Sequence, residues 1–234
     1  MINLSLYFFD TILYSIEVKI KLKQNIINYS IEFIFIFSSV YFAFWLTKQG
    51  EEAKIKKIER QAVTMLHNEL KENAIQLEKS FEYHKEITEN LSTYADSVHR
   101  GLIDAEKLRP IEHIKPFFYR RANSLGFPNI KEIAWQTLQN SEAYVYLDYK
   151  LASELGELYY IQDVGVKSTA KGIINDIFNS KSYYQREESE AIVIQTAYYF
   201  NELKGQEEFL LYFTNKAIES LENHYDFLKD SEGE

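Results

Sequence analysis

Between Ile31 and Leu46 the chain reads IEFIFIFSSVYFAFWL, an apolar run whose one ionisable side chain is Glu32. Sixteen residues fall short of a bilayer, which needs about 20 at 1.5 Å rise each. The helix extends back through Ile26, Ile27, Asn28, Tyr29 and Ser30, giving roughly 31 Å from Ile26, enough for the hydrocarbon core. Tyr29 and Trp45 stand where interfacial anchors belong, and Lys48 can snorkel outward. Seven aromatics fill the run and no polar stripe crosses Phe33–Phe37, a pattern that suits lipid better than the two-sided environment of a buried core helix. A carboxylate at mid-membrane would be costly and a functional candidate. Glu32, though, lies near the start of the span, within reach of headgroup water and the positive end of the helix.

The residues before the span are apolar but interrupted. Phe9, Leu13, Ile16 and Ile20 share one helical face and Lys19, Lys21 and Lys23 cluster behind them, the pattern of a helix lying in the membrane interface. The alternation VKIKLK also suits a short strand. Basic residues follow the apolar stretch here, whereas a signal peptide puts them first. After the span come Lys48, Lys54, Lys56, Lys57 and Arg60, five against three, so the positive-inside rule favours a cytoplasmic C-terminal side, by a margin that the N-terminal amine narrows.

From Glu51 to His99 there is neither Gly nor Pro. Ile55, Ile58, Ala62, Leu66, Leu70, Ala74, Leu77, Phe81, Ile87, Leu91, Tyr94 and Val98 recur mostly every three or four residues, one apolar stripe on a long helix interrupted by His67 and His84. Such a stripe fits a coiled coil between copies or the spine of a bundle. Leu66 and Leu70 are its candidate contact residues. Gly101 ends this helix, and Pro110, Pro116 and Pro128 punctuate the connector that follows. Helical periodicity resumes at Ile133, Trp135 and Leu138, breaks near Asn140-Ser141, runs from Asp148 to a stop at Asn179-Ser180, and continues in two helices at about 186–203 and 206–229, separated by Gly205.

The chain is therefore expected to be all-α. An interfacial segment (1–25) precedes a transmembrane helix (26–47), a long juxtamembrane helix (48–100), the connector (101–130), a helical bundle (131–229) and an acidic tail (230–234). Eight Gly and three Pro among 234 residues suit this architecture and disfavour a turn-rich β-sandwich. The order of parts resembles a family of small, uncharacterised bacterial membrane proteins classed as a domain of unknown function. Glu32-Phe33 opening the span, Ala43 and Trp45 closing it, and Trp135, Leu138, Ser141, Leu151, Leu155 and Tyr159 within 134–160 carry the resemblance. LTKQGEE replaces an Asn-Trp-Asn-Glu run after the span, and Glu142 stands where the family has glycine. The resemblance implies a single-pass bacterial membrane protein and no particular activity.

Chemistry-bearing motifs are sparse. No cysteine is present, so thiolate metal sites and thiol nucleophiles are excluded. Among five histidines only Asp96-x-x-His99 has ligand spacing, and paired Glu-x-x-His motifs and His-Glu-x-x-His are missing. No nucleophile elbow, Walker loop or dinucleotide turn occurs, so neither a catalytic set nor a cofactor is expected. The net charge of −9 argues against a nucleic-acid partner. The densest basic–aromatic cluster is Lys115, Phe117, Phe118, Tyr119, Arg120 and Arg121, which either presents an anion site or plugs the bundle with its two phenylalanines. Tyrosine doublets at 159–160, 183–184 and 198–199 should each set one ring inward and one outward, since adjacent helical residues point about 100° apart. The expected role is a membrane-anchored interaction or scaffold protein, binding lipid through its span and acting through a protein partner or a second copy. The alternatives are an effector that oligomerises through Glu32, Ser38 and Ser39 of the span, and an enzyme with scattered site residues.

Overall fold

The computed structural model describes the backbone of residues 3–118 and 124–233, and side chains over 23–25, 27–118 and 124–229. Every regular element among them is helical. Helix α1, Asn3–His99, is followed by α2, Pro110–Phe118; α3, Ile133–Gln139; α4, Tyr149–Gln162; α5, Ser168–Gly172; and α6, Ser189–His224. The VKIKLK stretch lies within α1 and is helix, not strand. The facial placement of Phe9, Leu13, Ile16 and Ile20 falls outside the described side chains.

The chain divides into two compact units, Met1–Lys56 and Lys57–Glu234. In the first, the helix exposes Ile31, Phe33, Phe35, Phe37, Phe42, Phe44 and Leu46 on every side. It is long and apolar enough to cross a membrane, and the apolar window is wholly unburied. Two hydroxyls are satisfied within it, Ser39 donating to the Phe35 carbonyl at 2.7 Å and Thr47 to that of Ala43 at 2.9 Å.

The second unit owns a full hydrophobic core. Ala62, Val63, Leu66, Leu70, Leu77, Leu91 and Val98 of α1 are buried against residues of α2, α4 and α6 such as Ile114, Leu155, Phe200, Leu210 and Leu221. Pairs linking α1 to α6 and its C-cap run in opposite order: Glu59 meets Tyr225, His67 meets Glu222, His84 meets Glu207, and His99 faces Glu190. The two long helices are therefore antiparallel over the length of the unit. The juxtamembrane stretch after Lys56 belongs to the bundle, and so does the connector, whose Ile114 and Phe118 are core residues.

Local chemistry explains the boundaries. Gly101 takes φ +69 and lets Gly101 and Leu102 donate to the carbonyls of Val98 and Ser97, closing α1. Pro110 opens α2 where a missing N–H costs nothing, and Glu112 accepts from the Arg109 amide at 2.7 Å. Asp148 caps α4 by accepting from the Leu151 amide at 3.0 Å. Helix α4 continues without a break through a π stretch, Asp163–Lys167, then α5 and a second π stretch, Ile173–Phe178. The wide turns rotate the buried face: Gly165 and Val166 turn inward, while Val164 and Ile174 are exposed.

Gly205 does not divide the last helix. Helix α6 runs 36 residues from Ser189 to His224 straight through it. An interior glycine costs only about 1 kcal/mol relative to alanine, and Leu203, Glu207 and Leu210, all buried, hold the turns on either side.

Candidate functional site

The buried face of α1 is a heptad seam in which polar residues alternate with apolar ones. Leu66, Leu70, Asn73, Leu77, Ser80, His84, Ile87 and Leu91 are buried at the three- and four-residue steps of an a/d pattern, and Val98 follows one heptad after Leu91. The polar members of this face each seize a specific group. Asn73 holds Lys131 twice, donating to its carbonyl and accepting from its amide, both at 2.8 Å. Ser80 donates to the Gly126 carbonyl at 2.8 Å. Thr88 donates to the Phe200 carbonyl at 3.2 Å. Next to the seam, the Tyr83 hydroxyl lies 3.1 Å from the Phe118 carbonyl and 2.9 Å from that of Ser124, spanning the two ends of the segment between them.

His84 is the centre of this array. Its Nδ1 lies 2.9 and 2.8 Å from the two carboxyl oxygens of Glu207, and its Nε2 lies 2.7 Å from the Leu125 carbonyl. Both side chains are fully buried, enclosed by the rings of Tyr83, Phe127 and Phe200. Burial raises the Glu207 carboxyl above its ordinary range, and the contact with His84 opposes that shift.

Two more buried groups lie to either side of His84 along the bundle. Glu69 accepts from the Ala134 amide at 2.8 Å and from the Tyr159 hydroxyl at 2.9 Å. Helix α3 has no side-chain cap of its own, so a carboxylate from α1 takes over that task and complements the helix dipole. Burial and the Glu69 charge push the Tyr159 phenol well above its usual range, keeping it a hydrogen-bond donor. His113 faces the Ala105 carbonyl through Nε2 at 2.9 Å and meets the Tyr94 hydroxyl at Nδ1. A carbonyl can only accept, so Nε2 of His113 carries a hydrogen. Gln162 Nε2, where α4 widens into the π stretch, is buried and has no hydrogen-bond partner among the described residues.

The residues singled out in the sequence are dispersed. Leu66 and Leu70 are buried within the bundle, so they are not a seam between copies: the rest of the same chain already covers them. Phe118 is buried against Phe178 and Phe200, and Phe117 is half-buried against Tyr94. Both phenylalanines therefore plug the bundle and are not displayed for a ligand. Lys115 is exposed on α2, whereas Tyr119, Arg120 and Arg121 lie outside the described residues. Glu32 is exposed on the apolar helix of the first unit.

Asp96 and His99 line a groove of about 320 Å³ between α1 and α6, with Ile194, Tyr198 and Asn201 opposite. Asp96 accepts from Arg100 Nε at 3.0 Å and His99 faces Glu190 at 3.5 Å. Among the described residues no group of three or more His, Asp or Glu could hold a metal ion. The tyrosine doublets divide as helical geometry demands: Tyr159 and Tyr183 are buried and their neighbours Tyr160 and Tyr184 exposed, while Tyr198 is exposed beside half-buried Tyr199.

What the sequence reading missed is the polar half of the seam. Asn73 and Ser80 sit at a/d positions between the leucines and Thr88 just past Ile87, where a search for apolar residues passes over them, and His84 registers there only as an interruption of the stripe. The detectable signal was their phase. The molecule is an all-α protein: one helix able to cross a membrane and a bundle with a buried polar network. No protein-family model, no curated protein and no solved structure matches the chain.

Proposed function

We propose that this chain is a membrane-anchored helical scaffold, held in the bilayer by the apolar part of α1 and acting through its bundle on a protein partner or a second copy. The single observation that carries this reading is the unburied run from Ile31 to Leu46, whose large apolar side chains face outward all round the helix. Such a surface would aggregate in water and is at home in lipid. The bundle buries its own core, so the anchor contributes location and not folding. Its polar groups converge on one another, which suits a rigid platform better than a reaction centre.

The basic residues after the span, five against three before it, favour a cytoplasmic bundle by the positive-inside rule, and a bacterial host is part of the same proposal. The exposed rings of Tyr160, Tyr198, Phe209 and Tyr212 are the surfaces on which an interaction partner would gain most. Fractionation of expressing cells with carbonate extraction tests the anchor: the protein should stay with the pellet, and full release into the supernatant sinks the reading. A C-terminal topology reporter tests sidedness. In-cell crosslinking read by mass spectrometry tests the interaction role, which predicts inter-chain or foreign crosslinks at residues on the bundle surface.

A further inference from the structure

The hydrogen-bond valence of His84 determines how many protons the buried site holds. The Leu125 carbonyl can only accept, so Nε2 carries a hydrogen. Nδ1 faces two carboxyl oxygens, and lone pairs cannot oppose one another there without a proton between them. That proton resides on the imidazole, giving an ion pair, or on Glu207, giving a neutral acid; the net charge is zero in both forms. Losing it would leave a carboxylate uncompensated in a site sealed by Tyr83, Phe127 and Phe200, a costly state.

Among the described residues no other charge is placed to substitute for it. On α1 the ionisable neighbours Lys85 and Glu86 are exposed, and Tyr83 directs its hydroxyl to backbone carbonyls. On α6 Glu208 is exposed and Lys204 half-buried. Helix α2 and the second π stretch bring Phe118 and Phe178, with Lys115 and Asp176 exposed. The segment Ser124–Phe127 contains no ionisable residue and contributes a carbonyl.

We propose that His84, Glu207 and the Leu125 carbonyl form a proton-dependent latch: the shared proton holds the segment Ser124–Lys131 over the α1–α6 seam, and its loss above neutral pH loosens that segment. The coupling arises because Leu125 and Phe127 keep water from the pair. Lifting them hydrates His84 and Glu207, whose charges can then relax independently. Above the ordinary histidine pKa of about 6.5 the closed form binds one more proton than the opened form. Closure therefore weakens as pH rises, by up to about tenfold in its equilibrium constant per pH unit. The upward direction of the Glu207 shift has the same sign.

Hydrogen exchange on the full chain in lipid nanodiscs tests the latch. Protection factors remove the intrinsic pH dependence of exchange, and the Lys131 amide, bonded to Asn73 at 2.8 Å, reports directly on the segment. In the wild type, protection across 124–131 should fall about tenfold or more between pH 6 and pH 9, with α4 unaffected. In Glu207→Gln, whose amide can donate to Nδ1 at any pH, the same segment should show no such fall. Unchanged wild-type protection, or an equal fall in the variant, overturns the proposal. Should Glu207→Gln not fold, the wild-type profile still decides. So does nitrogen NMR of the His84 ring: a neutral Nδ1–H tautomer with bare Nε2 at pH 7 overturns the latch, and a protonated Nε2 supports it.

Discussion

At the scale of single residues, the bundle depends on contacts that tolerate almost no change of shape. Gly126 takes φ +77, and a Cβ there would run into the Tyr83 ring. Gly126→Ala should therefore combine left-handed strain with a steric clash and cost about 2–3 kcal/mol or more, measured by denaturant unfolding. Leu66 is fully buried, so Leu66→Ala should cost about 2–5 kcal/mol by leaving a cavity. A charged residue at the same position should unfold the bundle and not merely dissociate copies of it. Glu207→Ala, unlike Glu207→Gln, strands a buried imidazole without its partner and should cost about 3–5 kcal/mol. Glu207→Gln keeps both the packing and a partner for Nδ1, so the difference between these two variants reports the joint cost of the unpaired imidazole and the cavity.

Helix α3 illustrates what a whole element requires. Seven residues are too few to be stable alone, and the first turn lacks its own cap, so the element is held by Glu69 and by the stack of Trp135 on Tyr159 at 5.4 Å and 2° between planes. Glu69→Ala removes both of the hydrogen bonds that dock α3 and α4 on α1. In a Trp45→Phe background, where Trp135 is the sole tryptophan, this variant should shift the emission to the red and lower stability by about 2–3 kcal/mol. Unchanged emission would mean that the aromatic stack alone positions the helix. Glycine has opposite consequences in two elements. Gly101 terminates α1 because it adopts a left-handed conformation, whereas Gly205 is an ordinary helical residue inside α6.

For the whole molecule, the two units obey different solvents. The bundle closes on its own core, while the apolar stretch of α1 leaves its side chains exposed to whatever surrounds it. Replacing Phe35 and Val40 together by aspartate places two charges at the centre of the run, each costing about 2.5–3.5 kcal/mol in a bilayer. The double variant should move to the soluble fraction on carbonate extraction. Its circular dichroism should keep most of the helical signal, because the bundle core has no residue in that stretch. Retention in the membrane pellet would mean that another part of the chain anchors it.

Local chemistry made much of this architecture legible in advance. The apolar run, the gap in Gly and Pro from Glu51 to His99, the stop at Gly101, the helical run starting near Asp148 and the outward ring of each tyrosine doublet follow from hydropathy, backbone freedom and the 3.6-residue turn. Those effects act over a few neighbouring residues, so they can be read along a line. Burial of the Leu66–Leu70 stripe by the same chain, the rotation of the core face through the π stretches and the continuity of α6 past Gly205 depend on packing between distant segments. The same holds for His84, Glu207 and Leu125. Their separations of 123 and 41 residues along the chain carry no local signature, and only the antiparallel pairing of α1 with α6 brings an imidazole, a carboxyl group and a carbonyl into one dry site. The helices follow from nearest-neighbour energetics, and the choice of polar partners from the fold, because a buried hydrogen bond gains its specificity from the water that tertiary packing removes.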